Sequence, residues 1–229
     1  IKTVDSDGTA TTITYLDDAV GATTHPDGIT STIAPDGTVT LYVADTGSSD
    51  PEGGTFSTDG SIIKIDIAAD GTATPNPEFV DSTTLQSPSG IAADPAGNLY
   101  VADQATGDVF KIPVTSGNAG TPISLTDGSS VDVEQPHGLT LVANDDGSIT
   151  LYSTDQGSNS NNIIKIDIPA SGNASEAVVS ELTPDTAAGT GGETTATAQF
   201  SKPHGIAADK SGAVFVCDEN NNRVQIITP

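Results

Sequence analysis

The 229-residue sequence predicts an all-β fold of radially repeated blades, and two observations carry that prediction. The segment KPHGIAADKSGAVFVCDENNNRVQIITP at 202–229 has three diverged copies upstream: HPDGITSTIAPDGTVTLYVADTG from His25, SPSGIAADPAGNLYVADQATGDVFKIPV from Ser87 and QPHGLTLVANDDGSITLYSTDQG from Gln135. The composition agrees, because 24 Gly and 14 Pro with neither Met nor Trp imply many short elements joined by turns.

Each copy opens on x-P-x-G and a short apolar run, which places first strands at Gly28–Thr32, Gly90–Ala93, Gly138–Val142 and Gly205–Ala208. Turns follow around Gly37, Gly97, Gly147 and Gly212, since a tight hairpin turn needs a residue that tolerates positive φ. Leu41–Ala44, Leu99–Ala102, Leu151–Ser153 and Val214–Cys217 have the β-branched and aromatic content of second strands. Each is closed by an aspartate (Asp45, Asp103, Asp155, Asp218), expected to accept hydrogen bonds between blades. Third strands fall at Ile62–Ile67, Val109–Val114, Ile163–Ile168 and Arg223–Ile227, where alternation such as Ile63, Ile65, Ile67 against Lys64 and Asp66 marks a two-sided strand. Fourth strands are placed near Glu78–Val80, Pro122–Leu125 and Ala177–Leu182.

The chain therefore reads as one domain, 1–229, with repeat units 25–86, 87–134, 135–201 and 202–229 preceded by a half-blade at 1–24. Ile1–Val4 aligns with third strands and Thr11–Leu16 with fourth strands, so pairing of Thr11–Leu16 with the blade containing Arg223–Ile227 would close a ring and remove exposed edges. Thr46–Asp59 and Pro184–Ala198 have loop composition and are expected as surface insertions.

The formal charge of −24, from 31 acidic residues against 7 Lys plus Arg, disfavours nucleic acid and anionic membrane faces, which require clustered cations. No apolar run approaches the roughly 18 residues of a membrane-spanning helix, so no membrane insertion is expected. An acidic, Met-free chain with the single cysteine Cys217 suits a secreted or cell-surface setting, where cations screen its self-repulsion. Cys217 occupies the position of Ala44, Ala102 and Thr154, a small strand site expected to be buried. No G-x-S-x-G elbow and no phosphate loop is present: Gly189-Thr190-Gly191-Gly192 lacks the following Lys.

The pattern x-P-x-G-I-A-x-D-x-x-G-x-x-Y/F-V-x-D followed by N-x-R-V resembles the NHL repeat, most fully at 202–229 and then at 87–114. The resemblance implies a β-propeller of four-stranded blades, commonly six-bladed, whose first strands line a central channel. Four units make either a compact ring or part of a larger, six-bladed one. In NHL-like propeller lyases such as the peptidyl-amidoglycolate lyase family, histidines of a matching P-H-G motif bind a catalytic zinc, and His137 and His204 match that motif here. Gluconolactonase-like propellers, also similar, would carry Asn-Gly where this chain has His-Gly or Ser-Gly, which argues against that activity.

Register brings Asp27, Ser89, His137 and His204 to one equivalent position before the first strand, so they should meet at the channel mouth. Two imidazoles and a carboxylate suit a divalent metal of the zinc kind, with His137, His204 and Asp27 as ligands, Ser89 or water completing the shell, and His25 in reserve. Calcium is the alternative on acidic turns such as Asp5-Ser6-Asp7-Gly8 and Asn144-Asp145-Asp146-Gly147, although neither extends to a full helix-loop-helix calcium site. No organic cofactor is implied. The reading is a binding or structural interaction module for a protein, peptide or glycan, with a metal-dependent lyase or hydrolase as the alternative.

Overall fold

The computed structural model describes residues 2–4, 10–12, 25–48, 59–157, 161–182 and 200–228. Its first two strands, β1 (Lys2–Val4) and β2 (Ala10–Thr12), pair antiparallel with each other. The first blade is β3 (Pro26–Ile33), β4 (Val39–Asp45), β5 (Ser61–Ile67) and β6 (Ala73–Val80), hydrogen-bonded in that order. The second is β7 (Pro88–Ala93), β8 (Leu99–Asp103), β9 (Asp108–Ile112) and, after a small hairpin of β10 (Val114–Thr115) and β11 (Asn118–Ala119), β12 (Ile123–Ser124). The third is β13 (Pro136–Ala143), β14 (Ile149–Gln156), β15 (Asn161–Ile168) and β16 (Val178–Leu182). The fourth, β17 (Pro203–Ala208), β18 (Val214–Asp218) and β19 (Arg223–Ile227), has three strands. All pairings within blades are antiparallel, and the only helices among the described residues are short 3-10 turns at Ala174–Glu176 and Glu219–Asn221.

The expected ring closure is absent among the described residues. Ala10–Thr12 pairs with Lys2–Val4, and β19 has β18 as its sole sheet neighbour. The remainder of the predicted closing strand, and most of the predicted insertions at 46–59 and 184–198, lie outside the described residues. So does the Asp5-Ser6-Asp7-Gly8 turn, whereas the turn at Asn144–Gly147 is a hairpin in which Asp146 accepts from the Ser148 amide and hydroxyl at 2.9 and 2.6 Å. The four repeat turns hold Gly37, Gly97, Gly147 and Gly212 at φ between 84° and 88°, the left-handed conformation that a side chain resists.

Blades stack by their first strands, β3 against β7, β7 against β13 and β13 against β17, and each junction buries an apolar core. Tyr42, Ile62, Leu85, Ile91, Val101 and Ile112 fill the first; Tyr100, Val109, Leu151 and Ile166 the second; Tyr152, Ile163, Phe200, Val214 and Val216 the third.

Two expectations are corrected by this stacking. Cys217 is exposed, not buried. Its counterparts Ala44, Ala102 and Thr154 are fully buried because a following blade covers them, and among the described residues no strand packs on the face carrying Cys217. The strand-end aspartates bond chiefly within their own units and not across blades. Asp103 accepts from the amides of Gln86, Ser87, Ala105 and Thr106, Asp155 from those of Glu134, Gln135 and Gly157, and Asp45 from those of His25 and Gly47. Each carboxylate thus clamps the segment leading into the x-P-x-G opening of its own blade, which sets where the first strand starts.

A candidate ligand pocket at the channel mouth

Every first strand breaks register in the same place. Pairing skips from Pro26 to Ile29, Pro88 to Ile91, Pro136 to Leu139 and Pro203 to Ile206, so each P-x-G is an irregularity of the bulge type. A bulge re-aims the side chain it carries. The glycine beside it has a second reason. A Cβ on Gly28, Gly90 or Gly138 would fall under 3.0 Å from the carbonyl oxygen of Ser89, His137 or His204 on the next blade, closer than real Cβ contacts. The motif therefore brings neighbouring backbones together at the axis and turns the intervening side chain out of the sheet.

That arrangement gathers Asp27, His137 and His204. The two imidazole centroids lie 4.1 Å apart with their planes tilted by 51°, and His137 Nε2 is 3.5 Å from Asp27 Oδ2. Ser89 stands at the equivalent position but not in the pocket: it is 1% exposed, and its hydroxyl is within 3.1 Å of the His137 carbonyl, to which it donates. His25 does line the pocket, and its Nδ1 donates to the Gly47 carbonyl at 2.6 Å.

The resulting cavity, of about 200 Å³, is lined by all three histidines together with Asp27, Thr46, Gln104, Gln156 and Lys202. Lys202, at the register position of His25, and the row Thr46, Gln104 and Gln156 were not among the candidates that the sequence offered. Thr46, Gln104 and Gln156 each follow a strand-end aspartate, so the repeat register that aligned Asp27 with His137 also aligned them, and that was the available signal. Gln156 Nε2 donates to the Pro203 carbonyl at 3.0 Å, and Lys202 Nζ lies 3.3 Å from Glu219 Oε1. Gln104 is different: it is 5% exposed, and its buried Nε2 has no hydrogen-bond partner among the described residues. A buried unmatched donor costs on the order of 1–3 kcal/mol, and a group supplied from outside would relieve that cost.

Burial, reinforced by the neighbouring His204, lowers the pKa of His137 to about 4 despite the opposing pull of Asp27. At pH 7 the ring is neutral, and its contact with Asp27 is a weak one at 3.5 Å and not an ion pair. The sign of the linkage follows. Below about pH 6.5 the unfolded chain protonates this histidine while the folded chain refuses the proton until about pH 4, so stability present above 6.5 is lost on acidification between these values. The loss should amount to about 3 kcal/mol. We expect the His137 ring resonances to titrate near pH 4, and a His137→Gln variant to lose that segment of the pH–stability curve; titration near 6.5 would refute the assignment.

As arranged, the predicted ligand trio does not fit a shared metal. Tetrahedral zinc with bonds of about 2.0–2.1 Å would hold the two ring centroids roughly 5 Å apart. Among the described residues no three His, Cys, Asp or Glu side chains form a group able to hold a metal ion.

Residues 200–227 match the NHL repeat. The chain carries an NHL repeat, and its fold is that of a β-propeller. No curated protein sequence matches this chain significantly. Among solved structures it is similar to a luciferin-regenerating enzyme (TM-score 0.56, 12% identity, covering 100% of this chain and 70% of that one). It is also similar to a gluconolactonase from Xanthomonas campestris (TM-score 0.52, 17% identity, 94% and 61%) and to a protein from Dyadobacter fermentans (TM-score 0.52, 11% identity, 84% and 61%). At these identities the likeness concerns the fold. The chain spans less than two thirds of the length of the two bacterial structures.

Proposed function

We propose that the NHL-repeat propeller is an extracellular or cell-surface binding module that takes a polar group of a peptide, protein or glycan ligand into the channel-mouth pocket. The observation that supports this most directly is the pairing of residues that line one cavity of about 200 Å³: Gln104, whose buried Nε2 has no hydrogen-bond partner among the described residues, and Asp27, whose carboxylate lies beside neutral His137. A hydroxyl or amide group, which both donates and accepts, matches that pair. Among the described residues that line the pocket, the Thr46 hydroxyl donates to the His25 carbonyl at 3.1 Å and Lys202 Nζ pairs with Glu219, so neither is held against a histidine ring as a nucleophile.

The alternative is a metal-dependent lyase or hydrolase. It draws on the P-H-G histidines and on the neutral state of His137, the form that ligates metals. Such a site would require the two rings to part. Binding of peptide and glycan panels by the purified chain and by Gln104→Leu decides for the module if the wild type binds and the variant loses at least about tenfold, as expected for a buried hydrogen bond. Turnover of peptidyl-hydroxyglycine or lactone substrates that needs added zinc or calcium and disappears with chelator would overturn it.

A further inference from the structure

Asp27 is the one carboxylate at the register position that it shares with Ser89, His137 and His204. Among the described residues no lysine or arginine pairs with it, and the ring beside it, His137, is kept neutral at pH 7 by burial. The carboxylate thus lines the pocket without a counter-ion. Lys202 is the one lysine or arginine in the described lining, and its Nζ lies 3.3 Å from Oε1 of Glu219, which is outside that lining. Its charge is already matched.

Gln104 adds the complementary requirement. It lines the same cavity, is 5% exposed and has in Nε2 a donor with no partner among the described residues. A ligand that suits both residues brings a cation to Asp27 and an acceptor to Gln104. The cavity of about 200 Å³ is smaller than the roughly 300–1,000 Å³ of sites that enclose a whole small molecule, so it suits the end of a ligand. The field around it has a sign as well. With 31 acidic residues against 7 Lys plus Arg, the chain attracts positive ligand ends and repels negative ones.

We propose that the channel-mouth pocket captures the free amino terminus of a peptide or protein, with the α-ammonium donating to Asp27 and the Gln104 amide turned to donate to the first carbonyl. This rests on the reading of the pocket as a binding site and narrows its ligands to one kind of chain end. The first residue of a peptide carries an ammonium and a carbonyl on one Cα, which is the combination that Asp27 and Gln104 ask for. A lysine side chain brings the cation with no carbonyl beside it. A neutral or acidic glycan brings no cation, and a carboxyl terminus would set one carboxylate against another.

Three pools of C-terminally amidated hexapeptides, random in uncharged residues, test it. Each is passed over the immobilised chain, and retained peptides are quantified by mass spectrometry. The first pool has free amino termini; the second is N-acetylated with one internal lysine, and so carries the same charge; the third is N-acetylated without lysine. Retention of the first should exceed that of the other two at least about tenfold, as expected for hydrogen bonds to a charged group. Asp27→Asn, whose fold circular dichroism would verify, should erase that preference. Glu78→Gln, which removes the same charge from an exposed position on β6, should leave it intact. Equal retention of the first two pools would reduce the effect to the general field of an acidic chain and overturn the inference, as would a preference that survives Asp27→Asn. Equal retention of all three would also overturn it while leaving the pocket a binding site for another group. Retention of none would overturn the reading of the pocket as a peptide site along with it.

Discussion

Replacing Gly90 by alanine should destabilise the protein by about 3–5 kcal/mol, while the same replacement at Gly205, its counterpart in the repeat, should cost less than about 0.5 kcal/mol. At Gly90 the added methyl would meet the His137 carbonyl, the Leu139 amide and the Leu139 Cβ, all within 3.0 Å and two of them backbone that cannot rotate away. At Gly205 the nearest atom is Cys217 Sγ, at an ordinary 3.6 Å. Neither glycine has positive φ, so the contrast isolates blade-to-blade approach from backbone strain. For a chain of 229 residues the larger effect corresponds to a fall in melting temperature of roughly 10 °C. Thermal denaturation of the two variants side by side measures it. Equal losses would mean that the P-x-G glycine is demanded by the local turn, and that the blades do not approach as described. Because the displaced atom is the carbonyl of His137, Gly90→Ala should also disturb the pocket in protein that remains folded.

Asp103→Ala should be comparably damaging, at about 3–5 kcal/mol. Asp103 is fully buried and accepts from four backbone amides, those of Gln86, Ser87, Ala105 and Thr106, at 2.6–3.2 Å. Burial raises its pKa, and those four hydrogen bonds oppose the rise. Removing the carboxylate takes the acceptor from four amides, one of them on the buried Ser87, and it releases the segment that leads into β7. Asp103→Asn keeps one acceptor oxygen and should lose less. Chemical denaturation of both variants checks the order; an alanine variant within about 1 kcal/mol of wild type would show that the clamp is dispensable.

The repeat register made the strands legible. Pro26–Ile33, Leu99–Asp103, Asn161–Ile168 and Arg223–Ile227 lie where alternation and turn glycines placed them, because side-chain period and turn stereochemistry are local properties. The same register foretold that Asp27, His137 and His204 share one level of the fold, since a repeat brings equivalent positions together.

Other features depended on what packs against each unit, which no single repeat encodes. Ser89 and His137 occupy one register position, yet the next blade's carbonyls take the Ser89 hydroxyl while the His137 ring faces the cavity. Gln104 and Gln156 likewise correspond, but the Pro203 carbonyl satisfies the second alone. Cys217 has the strand setting of Ala44 and Ala102, yet it is exposed where they are fully buried, because no described strand packs over it. Sequence by itself determined the all-β character, the four units and the candidates for the site, because these follow from each unit's own chain. Burial, hydrogen-bond partners and the pairing of the amino-terminal strands were decided by tertiary structure, because they are set by contacts between units that differ where their sequences agree.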